Sequence, residues 1–266
     1  VSAAVADTLD IASTPAIPFS RLVRVELRKS YDTRAGFWLL VAIAGVVALI
    51  LGIFTVIIVV QEETVLFGDF VVVAAYLTSF LLPILAIMLV TTEFSQRSAL
   101  VTFSLEPRRV RVILAKMVAG VVLTLVTLVA AFVIGLVCNL VCEIANPDLT
   151  GWRISASDVA GFTVTQTLAM LGGFAIATLL LNTPASIVLF FVYRFLLPIV
   201  FGIAGGLMDW FEKVRPWLDF QDAQVPIYDW DLSTGEQWGH LITSGILWLA
   251  VPMAIGLWRV LRAEPK

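Results

Sequence analysis

Val90-Thr-Thr-Glu93-Phe-Ser-Gln-Arg97-Ser-Ala-Leu-Val-Thr-Phe-Ser-Leu-Glu106-Pro-Arg-Arg-Val-Arg111-Val-Ile-Leu-Ala-Lys116 is the stretch on which the reading of this chain turns. An apolar run ends at Glu93, a short basic segment follows, and a second apolar run opens around Lys116 and continues to Ala130 and beyond. The apolar runs on either side are continuous, not alternating. Their length suits helices that cross a hydrocarbon layer needing about 20 apolar residues, and their pattern does not suit barrel strands. The basic segment is therefore a short connection clamped between two spans.

The rest of the chain agrees. It is 60% hydrophobic and 14% charged, with a mean hydropathy of +0.98. Soluble domains are about 45–50% apolar and about 25% charged. The fold class read from this is an all-α membrane protein. Six spans are expected, at about Phe37–Val60, Phe70–Thr92, Leu114–Val141, Asp158–Leu181, Pro184–Leu207 and Leu241–Leu261. Pro83, Pro198 and Pro252 fall inside them and predict kinks, which neighbouring spans can accommodate.

Before the first span the chain divides in two. Residues 1–17 are rich in Ala, Ser and Thr and read as a flexible tail. Residues 18–35 place Phe19, Leu22, Val23, Leu27 and Tyr31 at helical spacing, with Arg21, Arg24, Arg28 and Lys29 between them. That is the pattern of a basic amphipathic helix lying on a membrane face. Val25 sits off the stripe.

Lys and Arg set the orientation. With the N-terminus inside, the inner side collects Arg21, Arg24, Arg28, Lys29 and Arg34. It also collects Arg97, Arg108, Arg109, Arg111 and Lys116, then Arg259, Arg262 and Lys266. These are thirteen of the 17 basic residues; Arg153, Lys213 and Arg215 are outside and Arg194 is within a span. The positive-inside rule then puts both termini in the cytoplasm and the chain in the cytoplasmic membrane. The longest outer connection, Met208 to His240, carries Trp210, Phe211, Trp217, Phe220, Tyr228, Trp230 and Trp238. It reads either as short helices dipping into the outer leaflet or as a loop with an aromatic belt.

Chemistry-bearing residues are few. His240 is the only histidine, and Cys138 and Cys142 stand four apart on one span, so no metal site is expected. No catalytic Ser/His/Asp or Cys/His set is available, and no Gly-x-x-x-x-Gly-Lys-Ser/Thr phosphate loop occurs. Few carboxylates lie in the spans, which argues against a proton-coupled carrier. Arg194 lies near the middle of the fifth span, where a lone arginine must face protein or a water-filled cavity. Gln166, at mid-depth of the fourth span, is a candidate partner; Arg194 reads either as a pathway or gating residue or as a structural one that holds backbone carbonyls freed near Pro198 or facing it. Gly202, Gly205 and Gly206, like Gly172 and Gly173, permit close helix approach.

The Glu93–Lys116 segment resembles the first cytoplasmic loop of ABC-2 type permeases, in its actinobacterial style. The matching places are Glu93 at the end of the second span, Arg97-Ser98, Pro107-Arg108-Arg109, and Lys116 opening the third span. Ser98 stands where Thr is usual. The six-span layout and the helix before it also match, from about Pro18 onward. The resemblance implies the permease fold of type V ABC exporters. It further implies a coupling role for residues 93–113 and a second copy of this chain or a related permease. A separate cytoplasmic ATPase would hold ATP and Mg, with no cofactor on this chain. Arg108, Arg109 and Arg111 are suited to carboxylates on such a motor or to lipid phosphates. No nucleic-acid partner is implied. The peptide Leu232-Ser-Thr-Gly-Glu236, though like an ATPase signature, is outside by the charge rule and has no phosphate loop to complement. The expected function is ATP-driven export of a hydrophobic or amphipathic substrate such as a drug, peptide or lipid. The alternatives are a non-transporting scaffold or sensor subunit and an ion-coupled secondary transporter.

Overall fold

The computed structural model describes residues 17–95, 102, 104, 106, 108–228 and 230–262. Arg97, Ser98 and Pro107 lie outside the described residues, as do Lys266 and the tail up to residue 16. Helix α1 (Phe19–Asp32) leads into six helices long and apolar enough to cross a membrane. These are α2 (Arg34–Gln61), α3 (Phe67–Ser95), α4 (Arg109–Ala145), α5 (Ala156–Leu180), α6 (Thr183–Leu207) and α8 (Gly235–Arg262). Helix α7 (Asp209–Leu218) stands between the last two. The chain is thus an all-α protein with the make-up of a multi-pass membrane protein.

Local chemistry sets the breaks. Thr33 caps α2 by accepting from the Gly36 amide at 3.2 Å, which ends α1 one residue earlier. Ser155 with Asp158 forms a capping box at α5, and Thr234 with Gln237 forms another at α8. Asn182 accepts from the Ala185 amide at 3.0 Å to start α6. At the end away from α1, Val65 pairs with Thr150 and Leu66 with Gly151 in a two-residue parallel ladder. That ladder ties the α2–α3 turn to the α4–α5 turn.

Helix α3 is the centre of the bundle: 61% of its apolar window is buried, against 6% for α6. It packs most extensively on α5, and Gly173 permits this approach. A Cβ there would sit 2.6 Å from Pro83 Cα. Met170, Phe174, Leu82 and Ala86 fill the same interface and are fully buried. Helix α4 packs on α2 and α3 and also on α1. Cys138 and Cys142 are free thiols buried there.

Three local features add to the sequence reading. The α1 helix forms where expected, and a charged residue takes its most buried position. Leu22, Val23 and Leu27 are half-buried and Tyr31 is 54% exposed, while Glu26 is the most buried residue of the helix at 4%. A carboxylate takes that place because a lysine of α4 meets it. Next, Gly202 and Gly206 pack against nothing within the chain, so α6 keeps an open face. Finally, Pro198 and Pro252 give wide π turns (Val192–Leu196 and Ile246–Ala250), whereas Pro83 sits in unbroken helix against Gly173.

The described residues of the connection from Met208 to His240 fold into a helical hairpin. Helix α7 is ten residues, about 15 Å, which is half the thickness of a hydrocarbon core. Beyond it, Asp222–Gln224 and Val225–Tyr228 form two short helical turns on the return path. The tip reaches the mid-length of the bundle. Leu218 accepts from Trp248 Nε1 at 2.7 Å, and Gln221 Nε2 donates to Tyr193 O at 2.9 Å. The returning turn lies against Gly161 of α5, where a Cβ would stand 2.7 Å from Tyr228 O. The backbone of this connection is thus held by contacts to three helices, α5, α6 and α8.

Candidate functional site

One end of the bundle gathers α1, the last turn of α3, the first turns of α4 and α6, and the last turn of α8; it is called here the basic end. Helix α1 lies across α4 there. Glu26 and Lys29, three apart on α1, share a face and pair at 2.8 Å. Lys29 Nζ also meets Glu93 Oε1 of α3 at 2.6 Å. Lys116, in the third turn of α4 and 1% exposed, completes the set. Its Nζ lies 2.6 Å from Glu26 Oε2 and 3.1 Å from Glu93 Oε1, and donates to Leu89 O at 3.3 Å.

Two carboxylates and two ammonium groups thus neutralise one another among buried side chains. All three N–H groups of Lys116 have acceptors, the condition for burying a lysine without a large penalty. Burial alone would push the Lys29 pKa down. The charges of Glu26 and Glu93 outweigh it and hold Lys29 above the ordinary lysine value of 10.5. The arrangement ties three helices at one point. A cavity of about 690 Å³ opens beside it, walled by Leu39, Leu40, Leu85 and Met88.

The basic segment continues this network. Thr102 Oγ1 donates to Glu93 at 3.3 Å. Glu106 accepts from Arg111 at 2.8 Å and from the Arg108 amide at 3.3 Å. Arg111 also donates to Ile17 O at 2.6 Å, tying the first turn of α4 to the chain just before α1. Arg109 donates to Val260 O at 2.8 Å and Leu261 O at 3.3 Å, satisfying carbonyls at the last turn of α8. The sequence reading gave Arg109 and Arg111 to an external partner; both are engaged within the chain. Arg108 is exposed, as are Arg21, Arg24 and Arg28, and Arg28 pairs with Asp32 at 2.6 Å.

Of the residues singled out by sequence, the structure brings together Lys29, Glu93 and Lys116. It separates Arg194 from Gln166. Arg194 donates to Gln221 at the hairpin tip and to Ser79 Oγ at 3.2 Å, and its guanidinium lies 4.9 Å from the Phe80 ring centroid. Gln166 instead donates to Ala75 O at 3.0 Å, where it pins α5 to α3. Sequence reasoning missed Glu26, Glu106 and Gln221. The signal for Glu26 was present: a carboxylate in register with Leu22 and three before Lys29. Nothing in the sequence places Gln221 against Arg194. Among the described residues, no three His, Cys, Asp or Glu side chains converge as metal ligands.

No protein-family profile matches the chain, and no curated protein matches it.

Proposed function

We propose that this chain is the transmembrane permease subunit of an ATP-driven exporter of the ABC-2 class. It would sit in the cytoplasmic membrane with the basic end and both termini inside. A cytoplasmic ATPase would hold ATP and Mg, and a second permease copy or a related permease would complete the pathway for a hydrophobic or amphipathic substrate. Orientation rests on the lysines and arginines gathered at the basic end.

The observation that carries the reading is the Glu26–Lys29–Glu93–Lys116 cluster. It brackets the basic segment between α3 and α4 and welds both helices to α1. A push delivered to that segment would reach α1, α3 and α4 together, as a lever requires. Arg108 is the exposed cation of the segment and has no side-chain bond among the described residues, which suits it to a carboxylate on a motor.

Affinity purification from native membranes, followed by mass spectrometry, tests the assignment. A stoichiometric ATPase that the chain stimulates is the expected result. Arg108→Glu should then weaken ATPase binding and stimulated turnover while leaving the purified chain as stable as before. An intact complex with unchanged turnover in that variant, or the absence of any ATPase, would overturn the reading.

A further inference from the structure

Proline cannot donate a backbone hydrogen bond, so Pro198 and Pro252 leave the carbonyls of Arg194 and Trp248 without their usual helical donors. In both helices a π turn precedes the proline and ends two residues before it. Such turns re-aim side chains and recur at functional sites. These two, on different helices, turn Tyr193, Arg194 and Trp248 toward a single cavity of about 150 Å³.

The cavity has a polar end and an apolar end. Arg194, Ser79, Gln221 and Gln224 crowd the end beneath the hairpin tip. From there one stripe of α5 runs through Thr165, Leu168, Gly172, Ile176 and Leu179, about 21 Å along the helix. Its spacing is that of a single helix face.

Charge makes the polar end unusual. Two of the five N–H groups of Arg194 are used by Gln221 and Ser79, and both partners are neutral. No carboxylate lines the cavity among the described residues. Of the acids at the hairpin tip, Asp222 is exposed, and Asp219 is engaged by Arg215 at 3.7 Å and by the amides of Gln221 and Asp222. A guanidinium at mid-span is costly when uncompensated. An anion in the cavity would offset that cost.

We propose that this cavity binds an anionic amphiphile. Its carboxylate or phosphate oxygens would accept from Arg194, with Gln224 beside them, and its alkyl chain would follow the α5 stripe toward Leu179. The site stands on the cavity alone; if the transport role holds, it names the substrate class.

The test uses the full chain in phosphatidylcholine nanodiscs with tritiated decanoate, and empty nanodiscs as the blank. Saturable binding is expected, displaced by decyl phosphate but not by decanol or by acetate at equal concentration. Arg194→Gln should weaken it about tenfold or more, the loss of one charge-assisted contact. Gly172→Leu should abolish it with unchanged thermal stability, because a Cβ at Gly172 meets nothing within 4 Å and the added side chain fills the cavity. Four results would overturn the proposal: no saturable binding above empty discs, displacement by decanol as effective as by decyl phosphate, displacement by acetate (a site for small free anions), or wild-type binding in both variants. None of these readouts needs an ATPase, so this proposal and the transport reading fail separately.

Discussion

The basic end and the middle of the bundle each bury positive charge, and they do it in opposite ways. At the basic end Lys116 is 1% exposed and faces two carboxylates, with a third acceptor from the backbone. At mid-length the partners of Arg194 among the described residues are an amide, a hydroxyl and an aromatic ring. The first arrangement is saturated and neutral, so it serves as a fixed joint. The second retains charge and donors, so it can respond to something that enters.

The comparison breaks most visibly at Lys116. Lys116→Met leaves Glu26 and Glu93 sharing only Lys29, and one buried negative charge is uncompensated. Breaking a buried pair from one side costs about 3–5 kcal/mol, so a large fall in thermal stability is expected. Glu26→Leu combined with Lys116→Met restores neutrality with Lys29 and Glu93 and should recover most of the loss. Arg194→Met should behave differently. It removes a charge costing about 2.5–3.5 kcal/mol at mid-span and gives up bonds of similar size, so its melting temperature should move much less. Equal losses in Lys116→Met and Arg194→Met would show that the two sites are not different in kind.

How much of this was legible beforehand follows from what each pattern encodes. The spans were readable because a hydrocarbon-length apolar run leaves little choice of structure; the expected Pro184–Leu207 is Thr183–Leu207 in the structure. Lys29, Glu93 and Lys116 were picked out, but their mutual contact was not. That contact depends on α1 crossing α4, a tertiary fact. Glu26 was lost because a basic, amphipathic segment invites the reading of a membrane-facing helix, and a lone carboxylate looks like noise within it. The hairpin was half legible. Its aromatics suit a headgroup layer, yet Trp217 stacks edge-on against His240 at 4.6 Å and Phe220 is buried beneath Gly245. Pairing Arg194 with Gln166 failed because depth along two helices does not fix which faces meet.

Gly161 sharpens the mid-bundle side alone. Its second-turn position on α5 lets the returning helical turn of the hairpin touch the helix backbone. Gly161→Val pushes against the carbonyls of Ile227 and Tyr228, and overpacking of this kind costs about 1–3 kcal/mol. Displacement of the hairpin should expose Leu218 and Trp248, read as faster labelling of a cysteine placed at Leu218. Labelling near Lys29 should not change, because among the described residues no hydrogen bond or ion pair joins the hairpin to Lys29, Glu26, Glu93 or Lys116.

Titration of Lys29 probes the joint from the solvent side. Its folded pKa lies above 10.5, so its pairing is fully present below that value and is lost as pH rises through the folded pKa. The stability difference between the wild type and Lys29→Met should be flat from about pH 6 to about pH 9 and shrink only above 10.5. A decline near neutrality would mean that Lys29 is not held by Glu26 and Glu93.

The smallest effect is expected at Arg109, and it separates the joint from the segment beside it. Arg109 bonds carbonyls of Val260 and Leu261 in the last turn of α8, not the charge cluster. Truncation to Ala removes the bonds to the Val260 and Leu261 carbonyls, which solvent can partly replace, a loss of about 0.5–1.5 kcal/mol for each. The change should be local: faster amide exchange over the final turn of α8, with the Glu26–Lys116 contact unaffected. If Arg109→Ala instead loosened α1, the first turn of α4 would be acting as one rigid piece with the cluster. The basic end would then be a single lever extending as far as α8, larger than the three-helix joint that the ion pairs define.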